Sequence, residues 1–194
     1  MPASPNPSAP PAPSVAALLA AVPGYTTGTW AIDPNHSEVS FSVRHLGIAK
    51  VRGRFDSFEG RIVLAENPLE SSVTATVRTD SVSTGNGQRD GHIHSADFLD
   101  TRTFPEMTFA STGVRAADDG FLVDGDLTLR GVTRPVTLSL EVNGFGTGVD
   151  GNPAAGFSAT AEINRSDFGV TAGPAGGAVG EKITISLEVE ANRQ

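Results

Sequence analysis

Four histidines, His36, His45, His92 and His94, together with Asp97, are the residues whose types could bind a metal or move a proton. His92 and His94 form an H-x-H pair, a spacing that serves a metal when it lies on a strand, where positions i and i+2 share a face. The pair sits instead in Asn86–Phe109, a stretch that reads as a short helix capped by Asn86. On a helix two residues at this spacing diverge by about 200°, which spoils the ligand geometry. They are therefore read as helix-surface and loop histidines. The chain has no cysteine, which excludes thiolate metal sites and disulfides. It has no G-x-S-x-G elbow and no glycine-rich phosphate loop between a strand and a helix. No metal, cofactor or catalytic set is expected. The charged residues of the same stretch, Arg89, Asp90 and Asp97, are better suited to tying a helix to neighbouring backbone through charge-assisted hydrogen bonds. Arg165 and Asp167, before Phe168-Gly169, can anchor a late loop in the same way.

The elements that must position these residues are strands. From Trp30 onward apolar residues recur with period two, in Val39, Phe41 and Val43, in Val51, Gly53 and Phe55, and in Val73, Ala75 and Val77. A bulge near Ser57 keeps Phe58, Gly60 and Ile62 inward. Met107, Phe109 and Ser111 follow the helical stretch. Phe121, Val123, Gly125, Leu127 and Leu129 are answered across Arg130-Gly131 by Val132, Val136, Leu138, Leu140 and Val142. Phe157, Ala159, Ala161 and Ile163, then Ile183, Ile185, Leu187 and Val189, complete the set. The fold class is all-β: about eight antiparallel strands with one wet face, closed as a barrel or stacked as a sandwich, with one short helical insertion acting as a lid. Many inward positions are Gly, Ala or Ser beside Phe41, Phe55, Phe109 and Phe157. Periodicity leaves open whether these aromatics border a hollow or fill a packed core.

The net charge of −8 argues against nucleic acid or an anionic membrane surface as partner. No apolar run of 18 residues exists to span a membrane. Met1–Pro13 is Pro, Ala and Ser without periodicity and is expected to be disordered, with two helical turns over Ser14–Ala21. The domain boundary is placed near Tyr25, and residues 1–24 are expected to lie outside the fold, with 25–194 as the barrel domain. Val15–Val22 is an apolar stretch with no Lys or Arg before it, which favours a cytoplasmic site over a periplasmic or secreted one.

Read together, the segments resemble a known family. Asp33-Pro34-Asn35-His36-Ser37 leads into Phe41-Ser42-Val43-Arg44-His45-Leu46, then Val51-Arg52-Gly53-Arg54-Phe55 and Phe58-Glu59-Gly60. Arg89-Asp90, Ser95-Ala96-Asp97-Phe98 and Phe104-Pro105 follow in order. Gly125–Val136 (GDLTLRGVTRPV) and Arg165-Ser166-Asp167-Phe168-Gly169 complete the match. The chain resembles the YceI-like family of lipocalin-like polyisoprenoid-binding proteins from about Thr27 to Val189. The resemblance implies an eight-stranded antiparallel barrel around a long apolar tunnel, without catalytic activity. Its ligands would be an isoprenoid chain, an isoprenoid quinone or a fatty-acid derivative, and a homodimer is compatible with it. The tunnel wall would then comprise Phe41, Val43, Phe55 and Val77 from the first strands, and Ile93 and Phe98 from the lid. Phe109, Leu127, Leu138, Phe157 and Ala159 would supply the rest. His36, His45, Arg89, Asp90 and Asp97 would orient a head group at the mouth. Two departures stand out: the uncharged Pro/Ala-rich N-terminus where many relatives carry an export signal, and Gly91, which weakens the lid helix by about 1 kcal/mol relative to Ala. The competing readings are a histidine- or metal-dependent enzyme and a filled β-sandwich interaction module.

Overall fold

The computed structural model describes residues 13–194. Helix α1 (Val15–Ala21) precedes the strands β1 (Gly28–Ile32), β2 (Glu38–His45), β3 (Ala49–Phe55), β4 (Phe58–Leu64), β5 (Ser72–Arg78) and β6 (Val82–Ser83). Helix α2 (Gly87–His94) separates these from β7 (Glu106–Ala117), β8 (Gly120–Leu129), β9 (Val132–Thr147), β10 (Pro153–Asn164) and β11 (Val179–Arg193). All pairings are antiparallel, and the sheet closes where β1 meets β11 at Trp30–Arg193 and Ile32–Ala191.

The strand segments resolve into the eight strands of a closed barrel because β1/β2, β3/β4 and β5/β6 are each one strand interrupted once. Each interruption shifts the alternation by one residue, so that the inward set passes from Ile32 to Val39, from Phe55 to Phe58 and from Val77 to Val82, and period-two patterning reads the two halves as separate strands. At the first, Glu190 of β11, paired with Gly156 of β10 on one side, faces no residue of β1 or β2 on the other. Its carbonyl instead accepts from the Asp33 amide (2.8 Å) and the Ser37 hydroxyl (3.2 Å), and its amide donates to Ser37 Oγ (3.0 Å). Ser81 joins the other two interruptions, its carbonyl accepting from the Asp56 amide (3.1 Å) and its Oγ from the Ser57 amide (3.0 Å). Both devices satisfy backbone groups that would otherwise be stranded in the wall.

Burial follows the alternation. On β8, Phe121, Val123, Gly125, Leu127 and Leu129 are buried while every residue between them is more exposed. The turn Arg130-Gly131 has both residues at positive φ (52° and 71°), the geometry that joins twisted strands in two residues. One barrel end carries this turn, the β2–β3 hairpin, the β10–β11 loop and α2. The other carries the β7–β8 and β9–β10 turns and α1.

Helix α1 corrects the expectation that everything before Tyr25 lies outside the fold. Ser14 caps it by accepting from the Ala17 amide (3.2 Å), and Leu18 and Val22, each 7% exposed, pack on Phe121, Val114 and Leu140. The Val15–Val22 run is therefore a plug for one barrel end, where its apolar face is buried against the ends of β7, β8 and β9. The disorder expected of Met1–Pro13 concerns, up to residue 12, positions outside the described residues.

Candidate functional site

The barrel encloses a cavity of about 830 Å³, at the upper end of the usual size of a small-molecule site. It extends from Val22, Tyr25 and Leu64 near α1 to His45, Gln88, Arg89 and Ala175 at the far end. Between these ends its wall is almost wholly aliphatic and aromatic. Phe41, Val43, Phe55, Val77, Phe109, Leu127, Leu138, Phe157 and Ala159 all border it from the strands, and Ile93 and Phe98 from the lid segment. The wall also uses Ile32, Ile62, Val123, Ile183, Ile185 and Leu187, which the sequence placed on alternating strands but not in the tunnel. The signal was present: Ile183, Ile185 and Leu187 alternate on β11 as plainly as the residues chosen on β10. Val22 and Tyr25 could not be found that way, because they lie outside any alternating strand.

The hollow does not come from empty space above the small residues. A Cβ on Gly53 would stand 2.8 Å from Phe41 Cε1, and one on Gly125 would stand 2.6 Å from Phe109 Cε2 and 2.7 Å from the Ala110 carbonyl. These glycines let the two rings lie against the wall, and the centre stays open because the rings are flat on it. The small residues are plain in the sequence and suggest a void above them; the void is beside them.

The lid is pinned by its own charges. Asn86 caps α2, accepting from the Arg89 amide (3.0 Å). Asp90 accepts from both the amide (2.9 Å) and the hydroxyl (2.6 Å) of Thr84, while Arg89 donates to Thr84 Oγ1 (2.7 Å) and to its carbonyl (2.9 Å). Asp97 meets His92 Nε2 at 3.0 Å, and its carbonyl accepts from the Ala172 amide (2.8 Å), joining the lid to the β10–β11 loop. Arg130 reinforces this seam by donating to the carbonyls of Ala96 (2.8 Å) and Gly169. Of the five residues expected at the mouth, His45 and Arg89 do border the cavity; His36, Asp90 and Asp97 do not. Asp90 and Asp97 are consumed by lid anchoring. His36 lies at the β1–β2 interruption. Arg44, Gln88 and His92 complete the polar rim in their place.

The histidines do not converge. His94 faces the Thr101 hydroxyl at 3.3 Å and His92 faces Asp97. Among the described residues one cluster has the composition of a cation site: Asp33, His36 and Glu190, outside the cavity wall. His36 Nδ1 lies 2.8 Å from Asp33 Oδ2 and 3.9 Å from Glu190 Oε1, an arrangement that a protonated imidazole accounts for without an ion. The Asp33 hydrogen bond, helped by the charges of Asp33 and Glu190, raises the His36 pKa above its ordinary 6.5, while the hydrogen bonds from His36 and from the Asn35 amide lower that of Asp33 below its ordinary 3.8. The imidazole's share of stability is full below 6.5 and is lost as pH rises through its raised folded value. The carboxylate's share is full above 3.8 and is lost as pH falls through its lowered one. In an NMR titration the His36 ring should therefore show a midpoint above 6.5, and Asp33→Asn should bring it down. An unchanged midpoint in the variant would remove the pair as its cause.

Comparison with known proteins agrees with this architecture. The model of the YceI-like domain matches residues 30–191. Protein YceI of Escherichia coli O17:K52:H18 is 39% identical over 162 residues, covering 82% of this chain and 83% of the relative. The crystal structure of the Campylobacter jejuni YCEI protein superposes with a TM-score of 0.69 at 31% identity, over 78% of this chain and 90% of that one. A polyisoprenoid-binding domain from Saccharophagus degradans, implicated in plant cell wall breakdown, shares the fold at a TM-score of 0.67 and 16% identity, over 87% of this chain and all of that one (100%). A closed eight-stranded antiparallel barrel with an apolar interior, matched along most of its length by these relatives, places the chain in the YceI-like family.

Proposed function

We propose that this protein binds one long-chain apolar lipid inside the barrel and sequesters or carries it without acting on it chemically. The ligand class is a polyisoprenoid, an isoprenoid quinone or a fatty-acid derivative. The observation that carries the reading is the cavity of about 830 Å³, lined for most of its length by aliphatic and aromatic side chains, with Arg44, His45, Gln88, Arg89 and His92 gathered where α2 and the β2–β3 hairpin meet. Such a space recognises a chain by the hydrophobic effect. At about 0.8 kcal/mol per buried CH₂, some fifteen carbons gain on the order of 12 kcal/mol before the cost of ordering the chain. The rim residues His45, Gln88 and Arg89 suit a head group and would set orientation more than affinity. Among the described residues the one cluster with the composition of a cation site contains a single histidine, His36, so the metal-enzyme alternative has no site built from the four histidines.

The test is extraction of the purified protein with organic solvent and mass spectrometry of the extract, followed by titration of the delipidated protein with a fluorescent long-chain fatty acid. One lipid class at near-stoichiometric yield, or saturable binding of the probe, is the expected result. A delipidated protein that takes up no long-chain probe would overturn the reading.

A further inference from the structure

The β2–β3 hairpin has a composition unlike the rest of the chain. Its tip exposes two large apolar side chains: Leu46 is 60% exposed and Ile48 83%. Leu46 also occupies a left-handed backbone position (φ 52°), where glycine or asparagine is at ease and a leucine is strained. Neither packing nor backbone preference explains a leucine there. The tip is nevertheless held: the Leu46 amide donates to the Ala178 carbonyl (2.8 Å) and the Ile48 amide to the His45 carbonyl (3.1 Å).

Behind this tip stand Arg44, Lys50, Arg52 and Arg54, all exposed, with Arg44 paired across the hairpin to Lys50. Thus four of the chain's 14 Lys and Arg residues fall within 44–54, which contains no carboxylate, in a chain of net charge −8. Arg54 meets Asp56 at 2.6 Å, while the ion pairs among the described residues leave out Arg44, Lys50 and Arg52. Charges beyond about 8 Å are screened at physiological salt, so a surface in contact with this hairpin meets its cations and not the chain's net charge. Apolar side chains ahead of a cationic collar are the pattern of a segment that enters the interface of an anionic bilayer. The hairpin also forms one side of the cavity mouth, contributing Val43, Arg44, His45 and Val51 to its wall.

We propose that the β2–β3 hairpin is a docking surface for an anionic lipid bilayer. Leu46 and Ile48 enter the interface, and Arg44, Lys50 and Arg52 meet the headgroup phosphates. The chain's negative net charge does not prevent this, because the charge is segregated. Docking stands on the hairpin alone; that the mouth then faces the membrane to load or release a lipid rests on the proposed lipid-binding function.

The full chain is floated with vesicles of phosphatidylcholine alone and with vesicles containing about one third phosphatidylglycerol, at low and physiological salt. Binding to the anionic vesicles, weakened by salt, is expected. Lys50→Gln with Arg52→Gln should lower the partition coefficient about 30-fold, at about 1 kcal/mol per cation. Leu46→Asn with Ile48→Ser should lower it at least about tenfold, and asparagine suits the backbone at position 46, so the melting temperature should hold. In parallel, a soluble fluorescent fatty acid is titrated into every form. Unchanged uptake shows that the variants keep the cavity, and vesicle binding without uptake would leave docking standing while removing the lipid-binding function. A wild-type chain that ignores anionic vesicles, or a tip variant that floats like wild type, overturns the proposal. Self-association abolished by the tip variant, without vesicle binding, would assign the surface to a second copy and overturn it equally.

Discussion

Replacing Arg165 by methionine is expected to destabilise the protein by about 3–5 kcal/mol and to loosen the loop beside the cavity mouth, because a buried hub of charge-assisted bonds loses its donor. Arg165 is only 9% exposed. Its guanidinium donates to the carbonyls of Val170 (2.7 Å), Gly180, Gly176 and Val179 (each 3.1 Å), and Glu181 Oε2 lies 3.5 Å away. One planar fork thus gathers the whole β10–β11 loop, whose glycines supply carbonyls but no packing of their own. Methionine fills similar volume but donates nothing, and each carbonyl left in the interior without a partner costs about 1–3 kcal/mol. Partial access of water to the loop recovers some of that sum, which sets the figure below four full penalties. Lysine keeps the charge, yet its ammonium cannot reach four carbonyls in one plane, so Arg165→Lys should recover only part of the loss. Urea unfolding gives the stability change, and amide exchange over residues 170–180 reads the loop directly. Val170, Ala175 and Val179 border the cavity, so faster exchange there should accompany faster release of a bound probe. A methionine variant within about 1 kcal/mol of wild type, with loop exchange unchanged, would show that the loop holds itself.

The same arginine illustrates how far the sequence can be read. Arg165 was legible as a loop anchor, since a charged residue before Phe168-Gly169 in a barrel wall needs partners. Its partners were not, because nothing marks a backbone carbonyl in advance. The strands of the barrel were legible because one wet face enforces period two; β8 keeps it without a break. Asn86 was legible as a cap because its amide oxygen replaces a backbone acceptor. What escaped depended on geometry across long separations. Leu18 and Val22 belong to a plain apolar octet, and only the position of Phe121, about a hundred residues later, makes it a plug. Asp90 and Asp97 were correctly seen as polar anchors and misplaced as mouth residues, since chemical type cannot say whether a carboxylate faces Thr84 or a ligand. The net charge is an average for a related reason: it does not register that four of the chain's cations are clustered on one hairpin.

Enlarging Ala159 to leucine should leave the ligand-free protein at least as stable as wild type and weaken binding of a long-chain lipid about 50-fold. Ala159 borders the cavity, and its cross-strand partners Leu140 on β9 and Leu187 on β11 border it too. Three added carbons therefore point into open space and cover apolar wall. In a filled core the same change would overpack and cost about 1–3 kcal/mol. In the hollow barrel it takes the room of about three lipid carbons, worth roughly 2.4 kcal/mol at 0.8 kcal/mol each. Gly125→Ala supplies the contrast. Its Cβ would meet the Phe109 ring, and also the Ala110 carbonyl at 2.7 Å, which is fixed in the β7–β8 ladder and cannot withdraw. The ring must leave the wall for the lumen, so binding should weaken here as well, now together with a loss of stability. Thermal melts of the delipidated proteins, beside titrations with a fluorescent long-chain fatty acid, separate the two effects. If Ala159→Leu destabilises the free protein and leaves binding untouched, position 159 belongs to a packed core and the lipid does not occupy the lumen beside it.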